Sequence, residues 1–139
     1  MSYFHLMVVY KMRVLCCGDR HWESFEIIER ELKKLDKDTI IIQGCADGAD
    51  KKCRYIARIL YLKLLSSKDN HDVLNNPGFP ANWKRYGRAA GLIRNIQMLD
   101  EGNPDLVLAF HTNIENSKGT KNMIEQAKKR GIKVVLIKE

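Results

Sequence analysis

The stretch "IIQGCADGAD", residues 41–50, decides the fold of this chain. It begins with the β-branched, apolar pattern of a strand and then passes into two glycines, Gly44 and Gly48, with the acidic Asp50 just beyond them. Apolar residues at helical spacing follow, so the glycines mark a tight turn between a strand and a helix. The stretch therefore predicts a βα unit whose turn lies at the carboxyl end of the strand.

Strand and helix patterns alternate along the rest of the chain in the same way. Apolar runs that indicate buried strands occupy residues 12–17, 39–43, 105–110 and 133–137. A weak signal for a further strand lies near Val73 or Phe79. Helical patterns occupy residues 22–37, a segment from Gly48 that reaches Leu64, residues 87–102, and residues 119–130 with Gly131 as the C-cap. Repeated βα units with short connections predict a parallel sheet with helices on both faces.

Composition limits the class of protein. The chain has 139 residues, of which 45% are hydrophobic, and this suits one compact domain with a buried core. The formal net charge of +7 favours anionic partners, such as nucleotides, nucleic acid or acidic surfaces, without choosing among them. Much of the excess lies in lysine runs such as "LKKLDK" and "AKKRGIK", where helical periodicity indicates solvated faces.

The cysteines and the start of the chain indicate a soluble, cytoplasmic protein. Cys16, Cys17, Cys45 and Cys53 lack C-x-x-C spacing, and buried reduced thiols are the simplest interpretation. The first residues carry neither a signal peptide nor a membrane span. No set of His, Cys and carboxylate residues has metal spacing, so we expect neither a metal nor a bound cofactor.

Glycines follow several of the predicted strands. Gly18 ends the first, Gly44 and Gly48 follow the second, and Gly119 with Thr120 lies before the last helix. Ligands bind beyond the carboxyl ends of parallel strands, where a backbone without Cβ can approach a phosphate and helix N–H groups point at it. These loops are candidates for an anion site. The alternative is that the glycines are there only because the geometry of the turns requires them. Neither G-x-G-x-x-G nor a P-loop is present.

The stretch "NWKRYGRAAGLIRN", residues 82–95, is the second informative one. Gly87, Gly91 and Arg94 are spaced four and three apart, so one helix face is bare except for a guanidinium. Such a face suits a phosphate or carboxylate, and the alternative is close helix packing with Arg94 paired to an internal acid such as Asp50. The inward residues of this helix are predicted to be Ala89, Leu92, Ile93, Ile96 and Leu99.

Aromatic and histidine side chains add weaker signals. Trp83 and Tyr86 could stack on a base, but we interpret Trp83 as a core anchor of the irregular segment before it. His21 is expected on the surface, and for His111 the choice between a surface and a ligand role is open. A basic stripe with interleaved aromatics would favour nucleic-acid binding, and the sequence alone does not reveal such a pattern.

In this order, "MRVLCCGDR", "IIQGCADGAD", "FPANWKRYGRAAGLIRNIQML", "PDLVLAF" and the "GT" before the last helix resemble the YspA-like, YpsA-related branch of the SLOG superfamily. That superfamily also contains DprA, the LOG phosphoribohydrolases and the molybdenum cofactor carriers. The resemblance covers about residues 12–138 and implies a five-stranded, Rossmann-like doubly wound sheet with a nucleotide pocket at the strand ends. It also implies an N-terminal extension over residues 1–11 and a single SLOG-like nucleotide-binding domain over residues 12–139.

The resemblance also implies which positions contact a ligand. By position, the ligand-binding residues would be Gly18, Asp19, Arg20, Gly44, Gly48, Ala49, Asp50, Arg94, Asn95, Gly119 and Thr120. Among them, Gly119 and Thr120 would take a phosphate at the start of the last helix.

One departure from the LOG enzymes bears on catalysis. Arg94 matches their catalytic arginine, but Met123 stands where their motif carries a catalytic glutamate. Glu125 is two residues further on, about 200° around a helix, so it does not replace that group. A carboxylate usually stabilises the positive transition state of N-glycosidic cleavage. Catalytic candidates are therefore Arg94, with Asp50 or Glu115 as a substitute acid.

Three functions follow as expectations. The first is a small module that binds a nucleotide or nucleotide derivative as a sensor or carrier. The alternative is a nucleoside monophosphate phosphoribohydrolase, and the second alternative is DprA-like binding of nucleic acid. A small-molecule nucleotide is the expected partner, with no membrane partner, and self-association is left open.

Overall fold

The computed structural model describes residues 10–139, which form a five-stranded sheet with helices on both faces. The strands are β1 (Arg13–Gly18), β2 (Ile40–Ile42), β3 (Lys63–Leu64), β4 (Leu106–Phe110) and β5 (Lys133–Ile137). Their order is β3-β2-β1-β4-β5, and each neighbouring pair is parallel. The predicted doubly wound, Rossmann-like α/β fold is confirmed.

The α-helices of the described residues are α1 (Phe25–Leu32), α2 (Ala49–Ile59), α3 (Trp83–Tyr86), α4 (Ala90–Gly102) and α5 (Gly119–Lys129). Ser24 begins α1, because its hydroxyl accepts a hydrogen bond from the Ile27 N–H at 3.2 Å. Gly131 follows α5 with a φ of 73°, the left-handed conformation in which helices commonly end. The C-cap itself is Arg130, one residue before the predicted Gly131.

Two apolar cores lie on opposite faces of the sheet. Helices α1 and α2 cover one face and α4 and α5 cover the other. Successive residues of β1 alternate between the cores, with Val14 and Cys16 in the first and Leu15 and Cys17 in the second. Burial on both faces explains why β1 is a continuous apolar run rather than an alternating one.

The strand order creates a switch point between β1 and β4. From β1 the chain winds outward through β2 to β3, and it then returns to the other side of β1 as β4. Connections leave the carboxyl ends of β1 and β4 in opposite directions, which opens a crevice between them. Gly18 and Phe110, the last residues of these strands, are partners in the sheet. The loops after β1, β2 and β4 therefore meet at one edge.

The third strand lies earlier in the chain than predicted. It is β3, within the stretch that the sequence assigned to the second helix, because α2 ends at Ile59 rather than at Leu64. Tyr61 adopts a left-handed φ of 60°, which stops the helix, and Leu62 then turns into the core. The run "LKLL" thus alternates as a short strand and does not continue the helix.

Residues 66–82 form an irregular segment against the end of β2. The Gln43 side-chain amide donates to the Pro77 carbonyl at 2.7 Å, and the Phe79 N–H donates to the Gln43 carbonyl at 2.9 Å. Phe79 is fully buried, but neither it nor Val73 lies in a strand. The prediction of a strand near Val73 or Phe79 is therefore wrong. The two hydrogen bonds are both made to Gln43 and do not continue as a ladder along a neighbouring strand.

Helix α4 buries a different face from the predicted one. Ala89, Leu92 and Ile93 were expected inward, but all three are exposed. Gly87 has a φ of 56° and a 3-10 turn over Gly87–Ala89 precedes the helix, so the helical phase begins only at Ala90. The buried residues of α4 are Ala90, Asn95, Met98, Leu99 and Gly102.

Two further expectations concern membranes and thiols. Within residues 10–139, no helix is long and apolar enough to cross a membrane. The four cysteines are free, and burial raises the pKa of the Cys17 and Cys53 thiols well above the ordinary range. These two side chains behave as small apolar groups.

The predicted N-terminal extension falls mostly on residues 1–9, which lie outside the described residues. Of the rest, Tyr10 donates its hydroxyl to Asp105 Oδ1, and the same carboxylate accepts the Arg13 N–H at 2.8 Å. Asp105 lies just before β4, so this contact holds Tyr10 at the amino edge of the sheet, opposite the glycine loops.

Candidate functional site

Gly44, just beyond β2, is held from both sides by charged side chains. Its N–H donates to Asp50 Oδ2 at 3.2 Å, and the same oxygen accepts the Ala46 N–H at 3.3 Å. Its carbonyl accepts a hydrogen bond from Arg94 Nη1 at 2.5 Å. The acid from α2 and the arginine from α4 therefore fix the position of one loop residue at the crevice.

Asp50 is the acidic group that lies beside Arg94. Only 5% of the residue is exposed, and burial raises its pKa to about 6, against the lowering effects of Arg94, of the two backbone N–H groups and of Arg54. Removal from water thus outweighs the favourable partners. The alternative in which Arg94 pairs with Asp50 is not what the structure has, because the two side chains meet through Gly44, whose N–H contacts Asp50 and whose carbonyl contacts Arg94.

Asn95 links Arg94 to the start of α5. The Arg94 Nε donates to Asn95 Oδ1 at 3.3 Å, and the Asn95 amide donates to the Gly119 carbonyl at 3.2 Å. The same amide reaches Asn122 Oδ1 at 3.3 Å. The guanidinium and the N-terminal turn of α5 are therefore separated by a single side-chain amide. Sequence reasoning missed Asn122, whose signal was its place three residues after Gly119.

Gly18 and Gly48 allow the first and second loops to pack together. A Cβ on Gly48 would lie 2.3 Å from the Asp19 carbonyl oxygen, and one on Gly18 would lie 2.2 Å from the Phe110 carbonyl oxygen. The Ala49 N–H, at the start of α2, donates to the Asp19 carbonyl at 3.0 Å. The space that a ligand phosphate would need beside these two glycines is filled by backbone.

Gly44 and Gly119 differ from those two. A Cβ on Gly44 would lie 2.6 Å from Arg94 Nη1, so the missing side chain makes room for the guanidinium. Around Gly119, no heavy atom of the described chain lies within 4 Å of a Cβ position. Thr120 is buried behind it, and its N–H donates to the Ser117 hydroxyl at 3.0 Å. Of these four glycines, Gly119 at the start of α5 is the one with open space around it.

The first loop contributes exposed polar groups. Asp19 is anchored through its N–H to the Phe110 carbonyl at 2.9 Å, and its Oδ1 accepts the His21 N–H at 2.9 Å. Arg20 and His21 are exposed, as expected for His21. His111 is buried, and its Nδ1 accepts the Asn113 N–H at 3.0 Å, so it organises the turn after β4.

Met123, which stands where the LOG motif carries a glutamate, faces the core. Met123 is 1% exposed and packs among apolar residues under α5. Glu115 is exposed and pairs with Lys121 at 3.4 Å, on the outer side of α5. A cavity of about 370 Å³ lies there, lined by Leu92, Glu115, Ser117, Lys118, Lys121, Asn122 and Glu125. It adjoins the start of α5 from the α4 side, beside the strand ends rather than over them.

Trp83 is not the core anchor that the sequence suggested, because 60% of it is exposed. Helix α3 holds it at the surface, and Tyr86 in the same helix is exposed as well. The basic residues Lys84, Arg85 and Arg88 lie between and beside these rings, and all are exposed. We call residues 83–88 the aromatic–basic segment. The alternation of aromatic and basic side chains in it was not recognised in the sequence, because Trp83 was assigned to the core.

The structure changes the predicted bare helix face in one respect. Gly87 lies in the 3-10 turn outside α4, so only Gly91 and Arg94 of the predicted trio share a helical face. Among residues 10–139, no group of three His, Cys, Asp or Glu side chains could hold a metal ion.

Comparison with known proteins gives relatives at the level of fold. No family model matches the chain. It is 29% identical over 128 residues to the Gene 61 protein of Mycobacterium phage D29, a match that covers 88% of this chain and 94% of that protein. Among solved structures, it is similar to the X-ray structure of DNA processing protein A (DprA) from Streptococcus pneumoniae, with a TM-score of 0.66 and 16% identity.

The DprA match covers 91% of this chain and 50% of the DprA chain, so the protein spans about half the length of that structure. Identity this low shows the fold alone. The Rossmann-like fold expected from the SLOG resemblance is the fold that this chain shares with DprA, and the narrower YspA-like branch stays a prediction.

Proposed function

We propose that the protein is a small module that binds a nucleotide or nucleotide derivative, as a sensor or carrier, at the carboxyl edge of its sheet. The observation that carries the proposal is the chain of contacts from the Arg94 guanidinium through Asn95 to the open start of α5. A guanidinium and the N-terminal turn of a helix are both suited to a phosphate, and here the Asn95 amide connects the two.

The arrangement leaves a defined part of each group for a ligand. Arg94 uses Nη1 for the Gly44 carbonyl and Nε for Asn95, which leaves Nη2 directed along the Gly91 side of α4. The first N–H groups of a helix have no partners within the helix, and only that of Thr120 is capped by Ser117. A phosphate between Nη2 and the Gly119 backbone would satisfy both.

The other residues that were predicted to bind the ligand lie in the loops next to this phosphate position. Gly18, Asp19, Arg20, Gly48 and Ala49 belong to the two packed loops on the β1 and β2 side, and Asp50 holds Gly44 beneath the guanidinium. We propose that these loops supply the wall of the pocket, while Arg94, Asn95, Gly119 and Thr120 supply the phosphate contacts. The net charge of +7 and the DprA-like fold agree with an anionic ligand.

The test is titration calorimetry with nucleoside monophosphates, nucleoside diphosphates and ADP-ribose. A charge-assisted phosphate contact is worth roughly 1.5 to 3 kcal/mol, so Arg94→Ala should weaken binding by about one to two orders of magnitude. Arg58→Ala, which removes the same charge from an exposed position on α2, is the control and should leave affinity unchanged. Equal affinities of the wild type and of Arg94→Ala for these ligands would contradict the proposed phosphate site.

The same samples test the phosphoribohydrolase alternative. We expect slow or absent turnover of nucleoside monophosphates, because the buried Met123 stands where a catalytic carboxylate would be needed. Release of free base is followed by chromatography. Robust release by wild type that disappears in Arg94→Ala would replace the binding module with a hydrolase, with Asp50, beside the arginine, as the next residue to test.

A second candidate, binding of single-stranded nucleic acid, is favoured by the aromatic–basic segment. Exposed rings interleaved with cations are the usual means of holding single strands, through base stacking and phosphate contacts. Here Trp83 and Tyr86 alternate with Lys84, Arg85 and Arg88, all exposed. The name of DprA, a DNA processing protein, agrees with such a partner at the level of shared fold.

Fluorescence anisotropy with a labelled oligonucleotide of about 12 nucleotides separates the candidates. Replacing Lys84, Arg85 and Arg88 together by Ala should weaken binding and reduce its salt dependence, since each lost phosphate contact lowers the slope of log K by about 0.7. Replacing the exposed Lys33, Lys34 and Lys37, near the end of α1, removes equal charge as the control. Equal effects of both triple variants would indicate non-specific attraction and reject this candidate.

A further inference from the structure

Trp83, Gly91 and Arg94 line one side of α4. A Cβ placed on Gly91 would lie 3.5 Å from Trp83 Cη2 and 4.0 Å from Arg94 Nη2. Both groups therefore approach the same point of bare backbone, one with the edge of an indole ring and the other with its unshared guanidinium nitrogen. The missing side chain of Gly91 leaves a narrow slot between them.

The position of Trp83 is fixed although the ring is exposed. Asn82 caps the short helix α3, with its Oδ1 accepting the Arg85 N–H at 3.0 Å. The ring edge rests against Gly91, and 60% of the residue faces solvent. A large ring that is 60% exposed and held at the surface beside a cation can accept a second aromatic ring by stacking.

We propose that Trp83 recognises the base of the ligand: the base stacks on the exposed indole beside Gly91, while the phosphate is held by Arg94 and the start of α5. The inference rests on the proposed function and deepens it by naming the ligand class. That class is nucleoside 5′-phosphates read through the π face of the base. Because every base has a π face, the site should accept purines and pyrimidines with similar affinity.

The stacking contribution can be measured by comparing ligands with and without a base. Calorimetry of the wild-type protein with AMP, CMP and ribose 5-phosphate should give similar affinities for the first two. Base–aromatic stacking is worth enough to make both bind about 5- to 150-fold more tightly than the sugar phosphate. In Trp83→Ala, AMP and CMP should fall to the affinity of ribose 5-phosphate, which itself should not change.

Three further variants separate stacking from a structural role. Trp83→Phe should restore part of the base-dependent affinity. Gly91→Leu should fill the slot and abolish that affinity without lowering the thermal midpoint, because leucine favours a helix more than glycine does. Tyr61→Ala, which removes the 90% exposed ring near β3, is the matched control and should bind all three ligands as wild type does.

Tryptophan fluorescence gives an independent readout. The second tryptophan, Trp22, is 1% exposed and packs edge-on against Phe110 in the core, so only Trp83 is available for stacking. AMP should quench the emission of wild type and not that of Trp83→Phe. Equal losses of affinity for AMP and for ribose 5-phosphate in Trp83→Ala, or no loss of either affinity, would overturn the inference about Trp83 and leave the proposed function standing. Failure of wild type to bind any of the three ligands would overturn the proposed function and the inference with it.

Discussion

Asp50 and Arg94 act on the two sides of Gly44, one through its N–H and the other through its carbonyl. The sequence placed both residues near the site through their spacing and their resemblance to a family. It could not say that the acid is buried, since burial depends on how α2 and the loop after β1 pack around it. Burial is what makes this acid sensitive to pH near neutrality.

The charge of Asp50 should make stability depend on pH in a defined direction. Its pKa rises from the ordinary 3.8 to about 6 in the folded protein, so the folded state holds the proton more tightly than the unfolded chain. The resulting stabilisation is fully present below the unfolded value and is lost as the pH rises through the folded value. Cys17, Cys45 and Cys53, whose pKa values are raised, stay neutral in this range.

Urea unfolding of wild type and Asp50→Asn between pH 4 and pH 7 measures this effect. The stability of wild type relative to the variant should fall with rising pH, by up to about 3 kcal/mol for a shift of this size. Asp47→Asn is the control, because Asp47 is exposed in the same loop and its pKa is lowered by Lys51, which gives the opposite sign. A difference that does not vary with pH would show that Asp50 ionises as it does in water.

At the scale of secondary structure elements, sequence periodicity was most reliable where burial is uniform. The strands β1, β2, β4 and β5 lie within two residues of the predicted runs. β1, β2 and β4 are mostly apolar and buried, whereas β5 is an edge strand in which Leu136 is 38% exposed. Helix α4 was harder: "GRAAGLIRN" has apolar residues on several faces, and the turn at Gly87 sets which of them point inward. The exposure of Leu92 and of Trp83 follows from that turn.

Helix α5 offers the element-scale test of the anion site. Gly119 is exposed and a Cβ there meets no neighbour, so Gly119→Ala and Gly119→Val should fold normally. If the helix N–H groups approach a phosphate, affinity for nucleotides should fall stepwise from Gly to Ala to Val as the side chain grows. Calorimetry together with thermal unfolding checks both statements. Unchanged affinity in the Gly119→Val variant would show that the phosphate does not bind at the start of α5.

At the scale of the whole molecule, the order of βα units was enough to predict the fold. Short connections and the glycines at strand ends predicted a parallel sheet, and the likeness to DprA confirms the Rossmann-like architecture. The irregular segment of residues 66–82 was not predictable, because it is held by individual hydrogen bonds, such as that of Gln43 to Pro77, and not by a periodic pattern. The proposed ligand class depends on the exposure of Trp83, which only the structure gives.

We propose that a nucleotide binds at the carboxyl edge of the sheet through Arg94 and the start of α5. The most direct measurement is a titration of ¹⁵N-labelled protein with AMP, followed by amide and indole chemical shifts. We predict that the largest changes cluster at Gly44, Arg94, Asn95, Gly119 and Thr120 and at the Trp83 indole N–H. Saturating AMP that leaves these signals in place, or shifts only residues on the α1 and α2 face, would contradict the account.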